Sequence, residues 1–149
     1  MKIEDEIKQK AFKNEYQKAM INIIFTSGWL EHKQTQFFKQ WHISPQQYNV
    51  LRILRGQNNN PITIASIQER MMDKMSNASR LVEKLKQKNL IDRKECKTDR
   101  RQVDIIITQK GLNLLSDIDN QMNTLEQIIK NISDDEAIEL NRILDKLRG

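Results

Sequence analysis

Cysteine is almost missing from this chain. Cys96 stands alone, so no intramolecular disulfide can form and no paired-cysteine metal site exists. The two histidines, His32 and His42, do not stand at a metal-ligand spacing, and no metal is expected. Glycine is nearly as scarce: Gly28, Gly56, Gly111 and Gly149 are the whole set, too few and too scattered for a phosphate-cradling loop. No Ser–His or Cys–His constellation has a spacing that supports nucleophilic chemistry, so neither an enzyme nor a cofactor is expected. Long apolar runs are missing too; none approaches the roughly 20 residues needed to cross a bilayer. The N-terminus is charged and lacks an apolar signal core, which reads as a cytoplasmic protein without membrane contact. Aromatics are few, at two Trp, two Tyr and four Phe, against 30% charged residues. That balance suits helices with exposed surface better than a compact β protein, and part of the apolar surface is expected to be buried against a second copy. At 149 residues the length suits one domain.

What the chain does have is positive charge gathered in one place. Residues 70–101 carry eleven Lys or Arg against five acids, a balance of +6, while the whole chain is +5. Charge concentrated in this way is the footprint of a polyanion-binding surface. The pattern around it reads as helices and a hairpin. No proline interrupts residues 3–40, and Ile7, Ala11, Ala19, Ile23 and Leu30 recur at helical spacing, so one long first helix is expected, with Gly28 a point of weakness. Ser44-Pro45 starts a second helix with Tyr48, Leu51 and Leu54 on one face, ending near Gly56. Residues 56–61 are a loop, and Thr63 caps a short third helix. A fourth helix over residues 73–88 buries Ala78, Leu81, Val82 and Leu85 and turns Ser76, Ser79, Arg80, Glu83 and Gln87 outward, with Asn77 and Lys84 on the flank. Asn89 follows it in a position that wants the left-handed conformation. Residues 90–96 and 102–108 are strand-like and joined by a basic turn. Leu115, Ile118, Met122, Leu125, Ile129 and Ile132 then form a sustained a/d seam, read here as a dimer contact rather than as the core stripe of a monomer. A Ser133/Glu136 capping box opens a final helix. The fold class is mainly α with a small β-wing.

Asp99-Arg100-Arg101, the apolar strand Ile105-Ile106-Ile107 and Thr108 followed by Gly111 resemble the wing signature of the MarR family of bacterial winged-helix transcription regulators. The helix before that signature and the seam after it also fit, and the resemblance spans nearly the whole chain. It implies a single domain in which residues 44–111 form a winged helix-turn-helix flanked by dimerisation helices at 1–42 and 112–149. It also implies that residues 76–84 form the recognition helix, and that Asp99 pairs with Arg101 so that this arginine reaches the DNA backbone or minor groove. The chain departs from the family pattern at Asn89, where glycine is usual, and at Gln68, where a small residue is usual.

Arg80 and Asn77 are the candidate base readers, since Arg suits guanine and Asn suits adenine, while Ser76 and Ser79 can bond bases or phosphates and Lys84 flanks them. Lys97, Arg100 and Arg101 sit at the hairpin tip, where a β-ribbon can follow the backbone. Cys96 lies in a wing strand, as a half-buried structural thiol. Aromatic residues gather by sequence near the end of the first helix, and the family resemblance makes Trp29, His32, Trp41 and Tyr48 the lining of a pocket for a small aromatic or phenolic effector; plain packing is the alternative. The expected partners are a pseudo-palindromic operator in double-stranded DNA and a second copy of the chain. The expected function is a dimeric repressor that binds a specific DNA sequence and is released by an effector. A winged-helix protein-interaction module is the alternative, and duplex binding with a salt slope separates the two.

Overall fold

Side-chain caps set where the helices begin, and one of them divides the expected first helix. A computed structural model describes residues 1–95 and 103–149. The chain forms two compact units, Met1–Pro45 and Gln46–Gly149. In the first, α1 (Ile3–Glu6) ends as Lys8 takes a positive φ of 55°, and α2 (Glu15–Phe38) starts only where the Asn14 side chain accepts the Gln17 N–H at 2.9 Å. The missing proline was therefore a poor guide: an Asn cap breaks the helix as effectively, because its side chain replaces a backbone acceptor. Lys18 of α2 pairs with Glu4 of α1 at 2.6 Å. Gly28 does not interrupt α2. A 3-10 turn, Lys39–Trp41, closes the unit, and His42 leaves it in the left-handed region at φ 56°.

The second unit carries the sheet. Helix α3 (Pro45–Arg55) is followed by a short strand β1 (Ile62–Thr63), α4 (Ile64–Arg70), α5 (Ala78–Gln87), and the strands β2 (Ile91–Glu95) and β3 (Val103–Ile107). The sheet is antiparallel in the order β1-β3-β2, with Ile62 opposite Ile105 and Arg93 opposite the same Ile105 on the other side. Strand β1 was not foreseen; two residues beside Pro61 carry no periodicity. Cys96, Lys97, Asp99, Arg100 and Arg101 lie outside the described residues.

The core of this unit is built from its helices and its two longer strands: Val50, Leu51 and Leu54 from α3, Ile67 from α4, Ala78, Val82 and Leu85 from α5, and Ile91, Ile105 and Ile107 from the strands are all buried. Each large aliphatic side chain so placed contributes about 1.5–3 kcal/mol relative to exposure. Helix α5 ends in a Schellman turn, with Asn89 at φ 58° and the Leu90 N–H donating to Leu85 O at 3.1 Å. Thr108 caps α6 (Gln109–Asp119) by accepting the Gly111 N–H at 3.1 Å. Its hydroxyl also donates to Asn89 O at 2.8 Å, and so fastens the start of α6 to the turn that ends α5. At Gly111 a Cβ would stand 2.3 Å from Leu90 O, so only glycine fits this approach.

The a/d seam does not run through. After α6 the hydrogen bonding tightens to i→i+3, from Gln121 N–H to Ile118 O at 2.9 Å and from Thr124 N–H to Gln121 O at 3.0 Å. The extra rotation of a tighter turn moves successive side chains off a common face. Leu115 and Ile118 are fully buried in the core of the unit, Met122 and Leu125 of α7 (Met122–Glu126) are half-buried, and Ile129 and Ile132 are exposed. Helix α8 (Asp134–Arg148) opens with the expected box of Ser133 and Glu136.

Candidate nucleic-acid interface

The segment between α4 and α5 is anchored by buried Met71, and its backbone is held at several further points by polar side chains. Asp73 accepts the Met75 N–H with one oxygen at 2.9 Å and the Ser76 hydroxyl with the other at 2.8 Å. Asn49, from α3, accepts the Met72 N–H at 2.9 Å. Gln68 spans the turn: its amide donates to Lys74 O at 3.2 Å, and its carbonyl accepts the N–H of buried Ala78 at 3.0 Å. Gln68, one of the two residues at which the chain departs from the resembled pattern, thus ties the start of α5 to α4.

This frame explains where the expected readers stand. Asn77 is the N-cap of α5, with its carbonyl oxygen accepting the Arg80 N–H at 3.0 Å, so its first role is structural. Ser76 is half-buried and engaged with Asp73. Ser79, Arg80 and Lys84 are exposed. Gln46, Ser76, Asn77, Arg80, Leu81 and Lys84 line an open cleft of about 320 Å³. Four of the expected residues therefore share one depression, and Ser79 is outside its lining. Gln46 was missed, because nothing in the first turn of α3 points to α5 by sequence alone. Leu81, expected in the core with Ala78 and Val82, is only half-buried and forms the apolar floor of this cleft.

Electrostatics favour an anion here. Glu83, the acid on the same face, is bound by Arg93 of β2 at 2.8 Å. An exposed pair of this kind adds little stability, but it offsets the negative charge next to Arg80 and Lys84. Lys88 follows α5 with its ammonium held below the usual lysine range by burial and then by the charge of Lys84; it donates to Gln47 at 3.3 Å. Two cations, a hydroxyl and two amides around one cleft can bind phosphate oxygens or base edges. Among the described residues no cluster of three metal-ligating side chains occurs, and no helix is long and apolar enough to cross a membrane.

The aromatic residues fall in both units. In the first, Trp41 packs edge-on against Phe37 at 5.2 Å, Trp29 is half-buried, and exposed His32 has a ring nitrogen 2.8 Å from the Gln36 amide. In the second, the Tyr48 hydroxyl accepts from Arg52 at 3.3 Å, a hydrogen bond that raises the Arg52 pKa, and the guanidinium lies 5.8 Å from the Tyr48 ring.

A helix, a fixed turn, a second helix with a basic outer face and an antiparallel hairpin behind it define a winged helix-turn-helix protein. The MarR family matches residues 43–103. The chain is 27% identical over 110 residues to the HTH-type transcriptional regulator MgrA of Staphylococcus aureus, covering 74% of this chain and 73% of that one. Among solved structures, a MarR transcription factor from Planctomyces limnophilus superposes with a TM-score of 0.70 at 27% identity, over 91% of this chain and 98% of its own. The organohalide-sensing regulator RdhR in its 2,4-dichlorophenol-bound form shares the fold with a TM-score of 0.82 at 19% identity, over 94% and 85% of the two chains. The chain is thus similar to transcription regulators of the MarR family.

Proposed function

We propose that this regulator binds a specific pseudo-palindromic DNA duplex as a homodimer in the cytoplasm and acts as a repressor released by a small aromatic or phenolic effector. The observation that carries the DNA reading is the outer face of α5, where Arg80 and Lys84 border the cleft while Glu83 is paired with Arg93. Ser79 adds an exposed hydroxyl to the same helix, and Ser76 and Asn77 hold its start. By the family resemblance Lys97, Arg100 and Arg101 would contact the backbone from the wing, with Asp99 orienting Arg101. Residues 44–111 would then be the DNA-binding part.

Two apolar stripes support the dimer. Tyr16, Met20, Ile23 and Ile24 lie exposed on α2, and Leu140, Ile143 and Leu147 lie exposed on α8. Both sets recur at three- and four-residue spacing, as a helix–helix contact requires. Stripes of this size on a single chain mark an association surface. They fall within residues 1–42 and 112–149, proposed here as the dimerisation helices.

The effector reading rests on the family resemblance, on RdhR holding a chlorinated phenol, and on the aromatic character of Trp29, His32, Trp41 and Tyr48. Release requires the effector to bind the DNA-incompetent arrangement more tightly than the competent one. A saturable change in Trp fluorescence on adding phenols, lost on Trp29→Phe or Trp41→Phe, is the expected result; no response across a phenolic panel contradicts it.

The DNA reading is tested by titrating the duplex upstream of the protein's own gene, against a scrambled duplex, across a salt series. Tighter binding to the former and a linear fall of log affinity with log salt are expected. Equal, weak binding to both at every salt concentration contradicts sequence-specific recognition of that site. Arg101→Ala is expected to weaken specific and nonspecific binding alike and to flatten the salt slope by about one ion.

A further inference from the structure

Two methionines stand almost wholly in water at the turn that precedes α5. Met75 is 93% exposed and Met72 is 84% exposed. Among the described residues the other large apolar side chains left exposed fall at Met1, on α2, at Ile129 and Ile132, and on α8, none of them within residues 46–111. Leaving a methionine in water forgoes the stabilisation that burial would bring, and a flexible loop could fold such a side chain inward. This turn cannot do so easily. The Met75 N–H is tied to Asp73, the Met72 N–H to Asn49, and Gln68 spans from Lys74 to Ala78. The backbone thus presents the Met75 thioether outward from a fixed base.

Position and charge narrow what could cover it. Met75 stands two residues before the N-cap of α5, at the end of the recognition helix that in helix-turn-helix proteins contacts base edges. Lys74, next to it in sequence, and Arg80, in the first turn of α5, favour a polyanion. In the major groove the apolar feature of a base edge is the C5-methyl of thymine, and apolar side chains read it by contact. An unbranched thioether adapts its shape to such a small target.

We infer that Met75 is a specificity residue that packs on a thymine C5-methyl in each half-site. This rests on the DNA-binding reading above. The test uses the full-length protein and a duplex enriched by it from a random pool. Each thymine is replaced in turn by uracil, which differs only in lacking the methyl group. Wild type is expected to lose about fourfold in affinity at the contacted thymine, the effect of returning one methyl-sized group to water. Met75→Ala is expected to bind the thymine and uracil duplexes equally, and Met75→Leu to keep the preference, with both variants melting as wild type does. Uracil costing wild type nothing at every position overturns the inference, as does Met75→Ala retaining the full wild-type discrimination. If no duplex is enriched at all, the DNA reading itself fails first and the inference falls with it.

Discussion

Arg80 and Gln68 represent two ways a single residue can matter to this interface. Arg80 is exposed and borders the cleft, so Arg80→Ala leaves the fold intact and removes a charge-assisted contact. The expected cost is about 1–3 kcal/mol in binding to the specific duplex, with a smaller loss on scrambled DNA, measured by anisotropy titration. An unchanged affinity would place DNA recognition elsewhere. Gln68 touches the N–H of buried Ala78, and Gln68→Met keeps the length of the side chain while removing both hydrogen bonds. A buried donor left unpaired costs about 1–3 kcal/mol, visible as a lower denaturation midpoint, and DNA affinity should fall as α5 loses its anchor. Gly111 is a stricter case. Gly111→Ala drives a methyl group to within 2.3 Å of Leu90 O, and a loss of about 1–3 kcal/mol in stability is expected by chemical denaturation. A variant as stable as wild type would show that α6 can shift away from the hairpin.

At the scale of elements, sequence patterns were readable wherever a helix or strand is set by its own residues. Ser44-Pro45, Thr63 and the Ser133/Glu136 box all mark the helix starts they were read to mark, because a cap acts within three or four residues. Three of the four residues expected to be buried on α5, Ala78, Val82 and Leu85 but not Leu81, and the left-handed Asn89 were legible for the same reason. The break at Asn14 and the split of the seam were not. In both places apolar spacing continues through a turn, and what interrupts the helix is a change in hydrogen bonding that hydrophobic periodicity does not register. The cleft was half legible: α5 and the two residues before it supplied Ser76, Asn77, Arg80 and Lys84, whereas Gln46 and the Glu83–Arg93 pair depend on tertiary contacts. One prediction belongs here. Ile143→Asp on α8 places a charge in the proposed dimer face, and the protein is expected to sediment as a monomer with its helicity retained. A dimer of unchanged stability would rule out that stripe as the contact.

Across the whole molecule the two readings depend on each other. A module of +6 charge attracts duplex DNA without regard to sequence, and one recognition helix reads only a few base pairs. Specificity over a chromosome calls for two such helices held in register, and that register is what an effector would alter. The central claim is therefore a two-fold complex in which α5 of each copy occupies one half-site. Hydroxyl-radical footprinting on the duplex enriched by the protein tests this most directly. The account predicts two protected half-sites related by a dyad, with centres one helical turn or a whole number of turns apart, about 10 base pairs each. In the same experiment Arg80→Ala should lose protection in both half-sites together. A single protected patch without symmetry, or uniform protection along the duplex, would contradict it.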